Sequence, residues 1–434
     1  MKIIIAILTV MLFVSSCFAS DSNFVSPSSL SLEECIHIAL KNHPSLRKSK
    51  AQTKMASAAL EQVKTSNRVK VNMTGSANTN GDFDDFDTRT NTGTVGLNAE
   101  KLLYDSGVNR LNRNIQSENM QGAAEGERHT QVTVAADAKR AYYDLVLRIL
   151  NRDVEREKLN NLEEHAKTAK GIYEVGNSPY VEVTKAEADL ANARVSLLKA
   201  ENDILVSQEA LRVAMGIDIF DTVNLVLSTQ LLLPDTENDI DTLLRIALED
   251  RADYRRILHT IKMRELEIQV AARGNSPTIK GSIGSELRKQ ESYSVSTNYT
   301  AGININIPVS DGGLTLAQTN SARAQLEQDT ADADSLRQTI THDVRSAMLS
   351  LSNAVDRVKS SELSVKYAEE NLELAWGRYE VGVGNQLEVS DAVSTLATSR
   401  YSLYQALYDS QIARANLDEA MGHLPVEINS EGSM

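Results

Sequence analysis

The tetrapeptide Tyr-Glu-Val-Gly occupies Tyr173–Gly176 and returns at Tyr379–Gly382, a register of 206 residues (379 less 173). At that register Asp105 matches Asp311, Gly107 matches Gly313, Glu163-Glu164 matches Glu369-Glu370, Glu182 matches Glu388, Leu190 matches Leu396, Arg194 matches Arg400, and Met215-Gly216 matches Met421-Gly422. Nothing in that span needs a gap. Nearer each start the register is 208, with Ala39-Leu40 opposite Ala247-Leu248, so about two residues were gained or lost between. A repeat this long is one structural unit used twice, not a short solenoid period, and it predicts internal pseudo-symmetry.

Proline marks out the elements within each copy, because one inside a helix costs about 3 kcal/mol. The seven prolines stand at 27, 44, 179, 234, 277, 308 and 425, leaving 180–233 and 309–424 free of them. From Leu111 to Lys170 the chain is rich in helix formers, with Gly122 and Gly126 as weak points, and the matching stretch Leu314 to Trp376 has no glycine. Val134, Ala138, Ala141, Leu145 and Ile149 form a helical stripe, matched by Ile340, Val344, Ala347, Leu351 and Val355. A helix of roughly 60 residues is about 90–100 Å long and should pack laterally, as coiled coils do. Each long helix is expected to stop at its Tyr-Glu-Val-Gly turn, with Gly176 and Gly382 left-handed, and to return through a second helix, Val181 to Met215 or Leu387 to Met421.

Ahead of each long helix the period changes to two. Tyr299, Ala301, Ile303, Ile305 and Ile307 alternate with Thr300, Gly302, Asn304 and Asn306. Weaker versions run through Ile279, Gly281, Ile283, Ser285 and Leu287, through Val69, Val71 and Met73, and through Val95, Leu97 and Ala99. These are four strands, two per copy, each of about 10 residues, the length that crosses a bilayer when tilted. Four strands cannot close a barrel, and open edges in lipid cost several kcal/mol per unpaired group, so other subunits must complete it. Three copies give twelve strands, although two or four would also close.

The net charge of −14 lacks a basic stripe, so no nucleic acid partner is expected. The two cysteines, Cys17 and Cys35, provide no disulfide framework and no thiolate metal cluster. Lys2 followed by the apolar Ile3 to Val14 reads as a secretory signal. Cleavage after Ala19 is one outcome; the other is acylation of Cys17, because Val14-Ser15-Ser16-Cys17 is also close to a lipoprotein box. The seven histidines, at 37, 43, 129, 165, 259, 342 and 423, form no zinc-protease pair, and no phosphate-binding glycine loop is present. Neither an enzyme nor a cofactor or metal is expected.

Leu32 to Leu46, Tyr104-Asp105-Ser106-Gly107, Val309-Ser310-Asp311-Gly312-Gly313, Ala141-Tyr142-Tyr143-Asp144-Leu145 and both Tyr-Glu-Val-Gly tips together resemble the TolC family of outer-membrane efflux proteins. The resemblance covers nearly the whole mature chain. It implies an α+β membrane protein, a homotrimer with a twelve-stranded barrel in outer-membrane lipid and an α-barrel tunnel of long helical hairpins in the periplasm. It further implies a passive duct for efflux or type I secretion, joined to a periplasmic adaptor (membrane fusion) protein and an inner-membrane transporter of RND, ABC or MFS type. The expected division is a signal at 1–19, a first repeat at 20–216, an equatorial linker at 217–239, a second repeat at 240–422 and a tail at 423–434.

On this resemblance the periplasmic gate falls on Glu388 and Asp391, six carboxylates in a trimer, a ring that favours cations. Read without the family, the same two residues are first-turn acids opposing a helix dipole. Tyr379 and Glu182 are latch candidates, and Lys185 stands where the second copy has Asp391, which makes the hairpins chemically unequal. An arginine of the family's latch corresponds to Gly384. Val175-Gly176 and Val381-Gly382 match the adaptor-docking tips, while as plain structure the glycines are helix stops. Tyr142, Tyr143 and Trp376 are expected to pack between helices, and the acidic stretch 82–87 to connect two strands outside the cell. The competing reading is a secreted periplasmic or surface coiled-coil scaffold without a pore.

Overall fold

The computed structural model describes residues 30–81, 89–176, 178–217, 231, 233–234, 239–290 and 295–423. The signal segment with Cys17, the acidic stretch 82–87, most of the 217–239 linker and nearly all of the tail lie outside the described residues. Each copy begins with two helices, α1 (Leu32–Asn42) and α2 (Pro44–Thr65), then α5 (Ile240–Asp250) and α6 (Ala252–Ala271). Two strands follow, β1 (Lys70–Asn80) and β2 (Thr90–Tyr104), then β3 (Thr278–Gln290) and β4 (Ser296–Asn306). The hairpins are α3 (Val108–Glu174) with α4 (Tyr180–Ala214), and α7 (Leu314–Glu380) with α8 (Gln386–Met421). Lys70 and Thr278 stand 208 residues apart (278 less 70) but Val108 and Leu314 only 206 (314 less 108), so the two-residue change lies between strand start and helix start.

Both long helices have 67 residues, about 100 Å at 1.5 Å per residue. They run past Lys170 and Trp376 through the Tyr-Glu pair, because the left-handed glycine closes the helix only after it. Gly176 has φ +77° and Gly382 φ +74°, as their positions in the sequence predict. Both helices open with the same device. The Asp105 carboxylate accepts from the N–H groups of Gly107 (3.0 Å) and Asn109 (2.6 Å), and Asp311 accepts from Gly313 (3.0 Å) and Thr315 (2.6 Å). These aspartates supply acceptors for helix N–H groups that have no carbonyl partner of their own.

The repeated stripe is the core. Val134 and Ala138 are covered by Ile36 and Ala39 of α1, and Leu145 joins Cys35, Leu211 and Met215. In the second copy Ile340, Val344, Ala347 and Leu351 are covered by Leu243 and Ala247 of α5 with Leu417 and Met421 of α8. Tyr142 is buried and meets Tyr143 edge-on at 5.6 Å, a packing role as expected. Two further glycines hold the corners. Gly216 (φ +66°) and Gly422 (φ +75°) end α4 and α8 directly against the α1–α2 and α5–α6 corners, where an added Cβ would lie 2.6 Å from the His43 Cα and 2.9 Å from the Arg251 Cα.

Laterally, α3 packs against α2 and α4 on one side and against α6 and α8 on the other, while α7 packs against α6 and α8. The protomer therefore ends in α2 and α4 at one flank and α7 at the other. Both flanks carry exposed apolar side chains: Val195, Leu198, Leu205 and Val206 on α4, and Leu349, Leu363 and Leu374 on α7.

Candidate functional site

Two regions bear on function, the sheet and the hairpin tips. The four strands pair antiparallel in the order β1-β2-β3-β4, leaving β1 and β4 as edges without a strand partner among the described residues. Register places Val71, Ala99, Ile283 and Ala301 in one cross-strand row and Met73, Leu97, Ser285 and Tyr299 two residues on. The alternate rows hold Lys70, Glu100, Ser282 and Gly302, then Asn72, Asn98, Gly284 and Thr300. One face is thus apolar and the other polar, with a Lys280–Glu100 ion pair at 3.2 Å on the polar side. Val71, Met73, Leu97, Ile283, Tyr299 and Ile303 are all exposed. An apolar face this large left bare in water is unfavourable by about 25 cal/mol per Å², so it calls for lipid. Eleven residues of strand reach about 36 Å, and tilted by about 40° they match an apolar band of roughly 25 Å. Among the described residues no helix is long and apolar enough to cross a membrane.

The tips are built differently in the two copies. At the first, Gly176 N–H donates to the Tyr173 carbonyl (2.9 Å), and the exposed Tyr173 and Tyr180 rings lie 5.3 Å apart. At the second, Gly382 and Val383 N–H groups donate to the carbonyls of Tyr379 (3.1 Å) and Arg378 (3.0 Å), and Gly384 N–H also reaches Arg378 (2.8 Å). A Cβ on Gly384 would meet Arg378 and Tyr379 atoms at 3.0 Å, so the turn has little room for a side chain there. The arginine at this tip is Arg378 instead, 3.3 Å from the Glu388 carboxylate. Val175, Gly176, Val381 and Gly382 are all exposed, and a Cβ on either glycine would meet nothing within 4 Å.

Glu388 and Asp391 stand one turn apart at the start of α8. Asn385 caps that helix, accepting from Glu388 N–H (3.0 Å) and donating to the Glu388 carboxylate (3.3 Å). Glu388 is half-buried in this cap, whereas Asp391 is exposed, and its backbone carbonyl accepts from the Thr395 hydroxyl (2.7 Å). Tyr379 is 5% exposed, and its phenol is pushed up by burial and then by the charge of Glu182. Its hydroxyl has no hydrogen-bond partner among the described residues, so Tyr379 and Glu182 are neighbours rather than a bonded pair. Lys185 is exposed.

The bonds that tie one hairpin to the other lie elsewhere. The Ser390 hydroxyl donates to Asp189 (3.0 Å), the Tyr401 hydroxyl donates to Glu155 (2.5 Å), and Arg400 pairs with Glu157. Within each hairpin, Arg400 also pairs with Glu369 (2.8 Å) and its counterpart Arg194 with Glu163 (3.2 Å), the same contact between the two helices in each copy. The matched arginines and glutamates were visible in the repeat; Ser390 and Asp189 were not, because their counterparts are Thr184 and Thr395. Beneath these ties Leu162 and Ala193 of the first hairpin share a core with Leu372, Tyr379, Val389, Ala392 and Val393 of the second, and Trp376 packs against it.

The sequence profile described as "Outer membrane efflux protein" matches residues 35–217 and 243–423. The chain is similar to the outer membrane protein TolC of Vibrio cholerae, 23% identical over 264 residues, which is 58% of this chain and 59% of that protein, less than two thirds of its length. It is 24% identical over 393 residues to the outer membrane efflux protein BepC of Brucella suis, covering 90% of this chain and 84% of that one. Among solved structures, the open state of the MtrE outer membrane channel of Neisseria gonorrhoeae superposes with a TM-score of 0.78 at 18% identity, over 91% of this chain and 89% of that one. At that identity the superposition shows a shared fold.

Proposed function

This chain belongs to the outer membrane efflux protein family, and from that premise we propose that three copies form the exit duct of a tripartite efflux or type I secretion system. As a family member it is an outer-membrane protein, not an enzyme. Substrates would pass without chemistry from an inner-membrane transporter, through a periplasmic adaptor, into the helical tunnel and out through the barrel. Repeats 20–216 and 240–422 would each supply one hairpin and two strands.

The observation that carries this reading is the sheet. It has one apolar face, one polar face and two edges without a strand partner among the described residues, so β4 of one copy has reason to pair with β1 of the next. Backbone groups facing lipid must be paired, and a closed ring of twelve strands achieves it. The exposed apolar flanks on α4 and α7 support side-by-side assembly of the helical part.

At the tips, Glu388 and Asp391 are the proposed gate. Because Arg378 sits beside Glu388, Asp391 is the carboxylate left to set the field at the constriction. The closed state is held within each protomer by Asp189–Ser390 and Glu157–Arg400, with Tyr379, Glu182 and Lys185 around them as latch candidates. Val175, Gly176, Val381 and Gly382 offer bare backbone for the adaptor's helices, and the Tyr173–Tyr180 pair makes the first tip unlike the second.

Extraction tests the reading. A barrel stays in the membrane through salt and carbonate, leaves only with detergent, and weighs three chains in native mass spectrometry. Release by carbonate as a soluble rod would refute it in favour of a scaffold without a pore.

A further inference from the structure

His165 lies on α3 in the core that joins the two hairpins behind the tips. It is 0% exposed, and neither ring nitrogen has a hydrogen-bond partner among the described residues. Its ring meets Trp376 edge-on at 5.7 Å (85°) and Tyr379 at 5.3 Å (56°), both on α7 of the other hairpin. At the same end of the molecule the Ser178 hydroxyl, the Tyr379 hydroxyl and the Gln386 amide nitrogen are also buried without partners among the described residues. A buried polar group without a partner costs about 1–3 kcal/mol, and His165 and Tyr379 meet ring to ring with that cost on both.

We propose that His165 is an acid-sensitive release: while neutral it packs the two hairpins of a protomer together, and once protonated it forces them apart, opening the tip of the duct. The inference rests on the reading that the tip is the gate.

The physical cause is the cost of charge in a ring-lined core. An imidazolium carries two N–H donors, and at this position neither meets an acceptor. The charged groups acting on it come from α4: Asp189, which favours the cation but already accepts from Ser390 (3.0 Å), and Lys185, which opposes it. From α7 come Trp376 and the Tyr379 phenol, which Glu182 faces; α8 brings Val389, Ala392 and Val393 to the same core, with Gln386 at its start. Burial therefore holds the His165 pKa below the ordinary 6.5, and exposure in an opened tip would restore it. The closed state binds fewer protons, so its advantage is complete above 6.5 and is lost as pH falls through the lowered value. Each histidine can shift the open-to-closed ratio by at most about tenfold per pH unit within that window. Three copies would make the response steep.

Trp376 is the chain's sole tryptophan, so intrinsic fluorescence reads this junction directly. Detergent-purified oligomer would be titrated from about pH 7.5 to about pH 5, alongside open probability in planar bilayers, for wild type and His165→Phe. The expected result is a change in Trp376 emission with a midpoint below 6.5, a parallel rise in open probability, and neither in His165→Phe. Flat Trp376 emission in the wild type overturns the proposal even if the variant fails to assemble. An acid response that persists in His165→Phe overturns it too, and assigns the response to other groups. If emission titrates but open probability does not, the release fails together with the reading of the tip as gate. If emission is flat while Glu388→Ala/Asp391→Ala still alters conductance, only the release fails.

Discussion

Four glycines in left-handed backbone allow the account of the fold to be tested quantitatively, because they share a conformation and differ in surroundings. Gly176, Gly382, Gly216 and Gly422 have φ of +77°, +74°, +66° and +75°. Alanine at any of them meets the left-handed penalty of roughly 1–2 kcal/mol. At the tips nothing else is touched, since no atom lies within 4 Å of an added Cβ. At the corners the new methyl would lie 2.6 Å from the His43 Cα in one copy and 2.9 Å from the Arg251 Cα in the other, and backbone yields less readily than a side chain. Forcing that much crowding into packed structure adds about 1–3 kcal/mol. Gly216→Ala and Gly422→Ala should thus cost about 2–5 kcal/mol, against about 1–2 at the tips. Hydrogen exchange read by mass spectrometry on the purified oligomer separates the cases. With tenfold per 1.4 kcal/mol, exchange should quicken by roughly 5- to 30-fold around Gly176→Ala and Gly382→Ala, and by about 30-fold or more around the corners. Equal acceleration at all four positions would refute the claim that the helical hairpins are wedged against the corners.

Other consequences can be checked separately. Leu145→Ala and Leu351→Ala, at 0% and 3% exposure on the matched stripe, should each cost about 2–5 kcal/mol in a denaturant titration, and a cost near zero would contradict the shared core. Arg400→Ala removes two ion pairs of a partly exposed network and should cost on the order of 1 kcal/mol, less at high salt; the loss should vanish in the background of Glu157→Ala/Glu369→Ala. Because Arg378 faces Glu388, Asp391→Ala should weaken block of the pore by multivalent cations more than Glu388→Ala does, and the reverse order would move the gate's charge to Glu388. Hydrogen bonds from Thr315 and Gly313 hold the Asp311 carboxyl down at about 2 against an ordinary 3.8, so its cap on α7 is complete above 3.8 and is lost as pH falls through 2. Exchange of the first turn of α7 should therefore be steady down to about pH 4, and fraying already near pH 5 would contradict the cap.

The fold was legible where one residue type decides one local outcome. Long proline-free runs, a repeated apolar stripe and two glycines after Tyr-Glu-Val were sufficient to place four helices within a few residues, and alternation was sufficient for four strands. Cross-strand register also follows from alternation, because a one-residue slip would turn every apolar side chain to the polar face. Much of the tip was not legible. Glu163-Glu164-His165-Ala166-Lys167 is mostly charged, yet its histidine is buried where it meets Trp376 and Tyr379 of the second hairpin. The family's latch arginine corresponds to Gly384, whereas Arg378, six residues earlier, reaches Glu388 across the turn. Ser390 and Asp189 form a bond between copies that have diverged at both positions, so neither periodicity nor the repeat marks it. Contacts between the two hairpins depend on how they dock, and sequence spacing does not encode that.

Single-channel conductance of the detergent-purified oligomer in a planar bilayer, wild type beside Glu388→Ala/Asp391→Ala, tests the central claim most directly. The account predicts insertion, a small cation-preferring conductance for the wild type, and a larger and less selective one for the variant. An oligomer that inserts yet remains non-conducting in both forms, or whose conductance ignores the substitution, would contradict a duct gated at its helical tips.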